Sequence, residues 1–206
     1  MTKEFLHVGC GAARKDNTTP VFNTDEWNEI RLDIDEAAKP DIVASLTDMS
    51  VIKDATYDAV YSSHNIEHLY AYQVPQALLE IRRVLKEDGY FIVTCPDLES
   101  VCKVVADGNL VKPLYQSPAG PISAIDILYG LRPSLAQGNH YMAHNVGFNK
   151  ELLHTTLREC GFASAAVASW APTYVLWGIA YKNTKKNSEE LKEELIQHTS
   201  HTGMKL

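Results

Sequence analysis

The chain has 206 residues, 45% of them hydrophobic and 22% charged, enough apolar material for one sizeable core and little room for a second. A formal net charge of −7 lacks the broad basic footprint that polyanions require, so nucleic acid is disfavoured as a partner. Apolar runs stay short of the roughly 20 residues of a membrane span, and no basic-apolar leader is seen at the start, so neither a membrane nor export is expected. Cys10, Cys95, Cys102 and Cys160 have no CxxC spacing and read as reduced thiols of a cytoplasmic protein.

In chain order, residues 5–8 predict a short apolar strand that runs into the turn Gly9-Cys10-Gly11. Two glycines there leave backbone N–H groups bare and let a ligand approach the main chain. Residues 30–34 predict a second strand, with Asp33 and Asp35 at its end. An acid about 20 residues after such a turn can accept both hydroxyls of a ribose. Further strands are expected at 41–44, 59–62 and 90–95. Between the last two, residues 74–85 place Leu78, Ile81 and Leu85 on one helical face, with Gly89 as the stop. This alternation argues for a parallel sheet with helices on both faces.

Residues 96–147 carry Pro113, Pro118, Pro121 and Pro133 and no clean period, and read as an insertion over the sheet, long enough to be a substrate lid. A helix follows over 149–161, with Asn149 as N-cap and Gly161 as stop. Residues 163–170 and 174–181 are expected to pair antiparallel at the sheet edge. From Asn183 the composition turns polar. Asn187-x-x-Glu190 with Leu191 and Leu195 opens a short helix, and the last dozen residues are expected to be disordered. The expected organisation is one domain over 1–182, a lid insertion at about 97–147, and a polar tail over 183–206.

Two clusters stand out chemically. His64-x-x-Glu67-His68 spaces nitrogen and oxygen donors at i, i+3 and i+4, as metal ligation requires, with His140 or His144 as a further ligand; a polar helix start has the same pattern, and no metal is assigned. The segment Gly138-Asn139-His140-Tyr141-Met142-Ala143-His144-Asn145 packs two imidazoles and a phenol into eight residues. His140 and Tyr141 are the candidates to orient an acceptor and remove its proton. His144 is read as structural, and Tyr115 and Asp126 as further pocket candidates.

The ordered motifs Leu6-His7-Val8-Gly9-Cys10-Gly11, Arg31-Leu32-Asp33-Ile34-Asp35, Tyr57-Asp58-Ala59-Val60-Tyr61-Ser62-Ser63-His64-Asn65-Ile66-Glu67-His68-Leu69 and Arg83-Val84-Leu85-Lys86-Glu87-Asp88-Gly89-Tyr90 resemble the class I S-adenosylmethionine-dependent methyltransferases, above all their type 11 branch. The likeness runs to about residue 97 and resumes at His144-Asn145-Val146-Gly147-Phe148 and Glu159-Cys160-Gly161-Phe162. It implies an α/β, Rossmann-like, seven-stranded, mostly parallel sheet with helices on both faces, an antiparallel last strand and a lid after the fifth strand. It also implies methyl transfer from S-adenosylmethionine to an oxygen or nitrogen of a small-molecule acceptor.

By the same resemblance, Gly9, Cys10 and Gly11 would pass beneath the methionine portion of the cofactor. Asp33, with Ile34 beside it, would hold the ribose. Ser45 and Leu46 would meet the adenine, Ser45 standing where the family usually has Asp, with Asp48 as a nearby substitute. Ser63 and His64 would face the methionine and the methyl group. His7 stands where many relatives carry an acid. The competing reading is a non-catalytic protein of the same fold that serves as an interaction subunit. A nicotinamide enzyme is disfavoured because the third glycine of Gly-x-Gly-x-x-Gly is missing and Arg14 stands in its place.

Overall fold

The computed structural model describes residues 2–202. Seven strands form one sheet: β1 (Lys3–Val8), β2 (Trp27–Asp33), β3 (Ile42–Val43), β4 (Tyr57–Ser63), β5 (Leu85–Pro96), β8 (Ser164–Trp170) and β9 (Val175–Tyr181), in the order β3-β2-β1-β4-β5-β9-β8. The first five run parallel, β9 is antiparallel to β5, and β8 is antiparallel to β9 along the whole of its length. The order reverses at β1, which leaves a crevice beside β1 and β4 at the carboxyl ends of the strands, where open α/β sheets bind their ligands. The expected fold class and the edge pair formed by 163–170 and 174–181 are both present.

Strand alternation sorts the side chains between two faces. Leu6, Val8, Leu32, Val60, Phe91 and Val93 point to one face, which is closed by α1 (Val74–Val84) and α5 (Lys150–Glu159). Helix α1 buries Val74, Ala77, Leu78, Ile81 and Val84 on a single stripe. It ends because Leu85 turns extended (φ −70°, ψ 140°), and not at Gly89, which lies inside β5. Helix α5 starts as expected, Asn149 Oδ1 accepting the Leu152 N–H at 2.8 Å, and ends just before Gly161 at φ 90°.

The opposite face carries a helix as expected, but between β1 and β2 an irregular segment takes the place of one. Residues 9–26, between β1 and β2, contain only a 3-10 turn at Lys15–Asn17. Cover comes from this irregular segment, through Phe22, and from α6 (Ser188–Thr199), through Leu191 and Leu195. Of the last dozen residues, expected to be disordered, those up to Thr202 instead belong to α6 and the turn that follows it, and residues 203–206 lie outside the described residues. Asn187 does form the expected capping box with Glu190, its Oδ1 accepting the Glu189 and Glu190 N–H groups. Beyond the cap, Leu191, Leu195, His198 and Thr199 follow at helical spacing and are all buried. Four apolar or half-apolar positions suffice because Phe5, Phe22, Trp27, Trp177 and Ile179 supply the other side of the contact.

Between β5 and α5, the segment expected as an insertion holds α2 (Leu98–Ala106), the hairpin β6 (Pro113–Ser117) and β7 (Gly120–Ser123), α3 (Ala124–Tyr129) and α4 (Arg132–Ala136). Elements this short show no sequence period. They share a satellite cluster around Val101, Ala124 and Ile127. Asp126 is buried, caps α3 with Ser123, and pairs with the Arg132 guanidinium at 2.7 Å, so its carboxyl is held far below the usual range by these bonds although burial opposes them.

Candidate functional site

The glycine turn leaves β1 with Gly9 at φ 60° and Gly11 at φ 51°, both in the left-handed region that a side chain resists. Three side chains of β2, on the face covered by the 9–26 segment, hold this turn. Asp33 Oδ2 accepts the Gly11 N–H at 2.7 Å, and its Oδ1 accepts the Asp35 N–H at 2.9 Å. Arg31, 1% exposed, donates to the carbonyls of Ala13 (3.1 Å), Lys39 (2.8 Å), Ala38 (3.3 Å) and Gly11. Glu29 accepts the Lys15 N–H at 2.9 Å. A helix would have satisfied its own backbone groups; here Glu29, Arg31 and Asp33 do so from alternate positions of one strand.

Glu29 also explains the histidine in place of an acid. Buried His7 sets Nδ1 2.7 Å from Glu29 Oε1, so a carboxylate reaches this position from the neighbouring strand. Cys10 is buried, which pushes its thiol up to about 11 and keeps it protonated and unreactive.

The other candidates line the carboxyl ends of the neighbouring strands. Ile34 follows Asp33 and is half exposed, an apolar surface at a strand end. After β3, Leu46 is buried and the Ser45 hydroxyl is bonded to Thr47 Oγ1 at 2.8 Å and accepts the Thr47 N–H at 3.2 Å, a local turn. Asp48 is exposed and bonded to Ser50 N. At the end of β4, Ser63 shares a hydrogen bond with Thr94 (2.9 Å), and His64 stands at φ 49° with its N–H on the Thr94 carbonyl. A non-glycine residue in this conformation marks a turn that the surrounding packing enforces. Beside it, Asn65 packs into the space left by the missing side chain of Gly9, and its buried Nδ2 has no hydrogen-bond partner.

Of the lid candidates, His140 and Tyr141 lie on a 3-10 turn (His140–Met142), are exposed, and have no side-chain hydrogen bond among the described residues. Tyr115 and Asp126 belong to the 97–147 segment's own packing. His144 is more central than its structural reading suggests. It is half-buried, donates through Nδ1–H to Ile127 O (2.8 Å), and stands edge-on to His68 with ring centroids 4.9 Å apart. Burial lowers its basicity, against the opposing pull of Glu67. It lines a cavity of about 200 Å³ with Pro96, Leu98, Tyr129 and Gly147, where the 97–147 segment meets the end of β5. A larger, open hollow of about 760 Å³ lies to the side, between residues 47–50 and α1, away from the glycine turn.

Comparison with known proteins agrees with this geometry. Residues 6–93 match the family model described as a methyltransferase domain. No curated protein matches the chain significantly. Among solved structures, the PH0226 protein from Pyrococcus horikoshii OT3 is similar over 88% of this chain and 82% of its own, with TM-score 0.59 and 16% identity. A SAM-dependent methyltransferase from Methanosarcina mazei is similar over 89% and 94%, with TM-score 0.58 and 15% identity. The Burkholderia thailandensis 1,6-didemethyltoxoflavin-N1-methyltransferase, solved with 1,6-didemethyltoxoflavin and S-adenosylhomocysteine, is similar over 89% and 72%, with TM-score 0.55 and 14% identity. The fold is that of the SAM-dependent methyltransferases.

Proposed function

We propose that the protein is a methyltransferase that uses S-adenosylmethionine to methylate an oxygen or nitrogen of a small-molecule acceptor. The observation that carries this reading is the Gly9-Cys10-Gly11 turn bonded to Asp33 at the sheet's switch point, within the segment matching the methyltransferase-domain model. The residues present fit the cofactor. Gly9 and Gly11 keep the main chain bare, Asp33 retains lone pairs for ribose hydroxyls, and exposed Ile34 offers a flat apolar contact for a base. Leu46 and Ser45 border the same strand ends, with Ser63 and His64 on the far side of the turn.

When bound, the sulfonium cofactor supplies an already activated methyl group, so the protein's part is placement and exclusion of water. The 97–147 segment supplies the acceptor side. Its exposed, unpartnered His140 and Tyr141 are free to engage an acceptor and take its proton, whereas the 200 Å³ cavity beside His144 suits a small molecule. His140→Ala and Tyr141→Phe should each lower turnover without weakening cofactor binding.

A non-catalytic role is the second reading. It is favoured by Ser45, whose hydroxyl is consumed in a local turn, and by an Asp33 whose two oxygens already hold backbone N–H groups. Calorimetric titration with S-adenosylmethionine and S-adenosylhomocysteine, wild type beside Asp33→Ala, separates the two. Micromolar binding that the variant loses supports the methyltransferase; a folded wild type that binds neither compound makes the interaction subunit the better account.

A further inference from the structure

We propose that the outer edge of β8 is a dimer interface, on which a second copy of this chain pairs its own β8 antiparallel about a two-fold axis at Val167. The sheet has two edges, and they are built differently. At one end β3 is only Ile42–Val43 and follows Pro40, so it offers little to pair with. At the other end β8 is Ser-Ala-Ala-Val-Ala-Ser-Trp, with no charge, no proline and an unbroken register against β9 from Ser164↔Tyr181 to Trp170↔Val175. None of the devices that blunt an edge strand interrupts it. Every residue of β9 is buried, whereas β8 buries only Ser164 and Val167.

The direction of the free backbone groups follows from the bonds at both ends of β9. The Lys182 N–H donates to Gly89 O at 3.0 Å, and Tyr174 O accepts the Asp97 N–H at 2.8 Å, both across to the β5 side. Alternation then turns the backbone of Val175, Trp177, Ile179 and Tyr181 toward β8, where they meet Trp170, Ala168, Ala166 and Ser164. The N–H and C=O groups of Ala165, Val167 and Ser169 therefore point outward, and among the described residues no hydrogen bond reaches them from that side. Unpaired main-chain groups in such a row are a template for another strand.

The occupant is a second copy because the edge is its own complement. Val167 is the middle residue of β8, so a two-fold axis there sets Val167 opposite Val167, Ala165 opposite Ser169, Ala166 opposite Ala168 and Ser164 opposite Trp170. Outward groups face outward groups in this register, and each such pair exchanges two hydrogen bonds. Charge agrees with it. Helices α5 and α6 flank β8 on the two faces of the sheet. The same axis runs the α5 helices of the two copies antiparallel, bringing the exposed Lys150 and Glu151 of one toward the exposed Glu159 and Arg158 of the other, opposite signs on both counts. Three of the four acids of α6 are answered within the chain: Glu194 by Lys186 and Tyr181, Glu190 by the Asn187 N–H, and Glu189 by Lys192 at 4.0 Å.

Pairing at β8 is independent of the methyltransferase reading, since β4, β5 and β9 stand between this edge and the glycine turn of β1. The test is sedimentation equilibrium of the full chain across a wide range of concentration, with a species of twice the chain mass expected. Val167→Pro removes an outward N–H and leaves the bonds to β9 in place, so it should weaken the dimer at least tenfold. Glu159→Lys sets like charges together and should also weaken it, and adding Lys150→Glu should restore it. Glu159→Lys keeps the test valid if Val167→Pro fails to fold, as judged by circular dichroism. Amide exchange reads the geometry directly: Ala165, Val167 and Ser169 should lose protection on dilution, whereas Ser164, Ala166 and Ala168 should keep it. A wild type that stays monomeric, wild-type dimer affinity in either folded variant, or fast exchange of the outward amides in the dimer overturns the proposal. S-adenosylhomocysteine binding, measured on the same preparations, reports separately on the methyltransferase reading.

Discussion

Asn65 occupies the space that a side chain on Gly9 would need: an ideal Cβ there falls 2.6 Å from Asn65 Oδ1, in a residue whose φ is already 60°. Gly9→Ala combines a left-handed alanine with a steric clash and should cost about 3 kcal/mol or more. Gly11 has φ 51° but open space around it, so Gly11→Ala should cost only about 1 kcal/mol. Urea midpoints of the two variants check the difference. Equal costs would mean that Asn65 simply moves aside.

Arg31 should be more costly to lose than its strand position suggests. Arg31→Met leaves the carbonyls of Gly11, Ala13, Ala38 and Lys39 without their donor and should destabilise by about 3 kcal/mol or more. Arg31→Lys should recover little, since an ammonium cannot reach several carbonyls in one plane. Thermal unfolding of both variants, read against the wild type, decides this. Affinity for S-adenosylhomocysteine should fall in parallel, because the glycine turn loses its anchor.

The C-terminal helix should behave as part of the core. Leu195 is 1% exposed, and Leu195→Ala is expected to cost about 2–5 kcal/mol, against near zero for a detachable tail. Denaturant unfolding that shows no change would place α6 outside the cooperative unit.

His198 should make stability sensitive to mild acid. Burial among Phe22, Tyr90 and Thr19 pushes its pKa down from 6.5 to about 3, so the folded state holds a neutral imidazole, bonded to Thr19 Oγ1 at 2.9 Å. The unfolded chain protonates first. The stabilisation is complete above pH 6.5 and is lost as the pH falls from there toward 3. Between pH 7.5 and 5.5 the wild type should lose about 1.4 kcal/mol more than His198→Gln. Parallel pH profiles of the two proteins would remove this role from His198.

The sheet was legible because its signals are local. Short apolar strands, the Gly9-x-Gly11 turn and the acid at Asp33 each declare themselves within a few residues. What the sequence concealed depends on contacts made across the fold. Helix α6 shows only two leucines in its first two turns, and its burial follows from a surface built around Phe22. The alternation of Glu29, Arg31 and Asp33 was visible, but their shared task, holding a helix-free segment, required knowing that no helix stands there. Glu67 looked like a helix-start acid. Its burial, with His64 Nδ1 3.3 Å from Oε1, arises where the chain returns at Asn145 and Val146.

The bond between Thr19 and His198 spans 179 positions. On the ribosome, the β1 turn and its supporting segment emerge well before the helix that seals Phe22. The glycine turn of a nascent chain therefore rests on an unfinished face until α6 is made, and the docking of that helix completes the cover of this face. The face under the glycine turn is thus closed by a part of the chain made long after the turn itself.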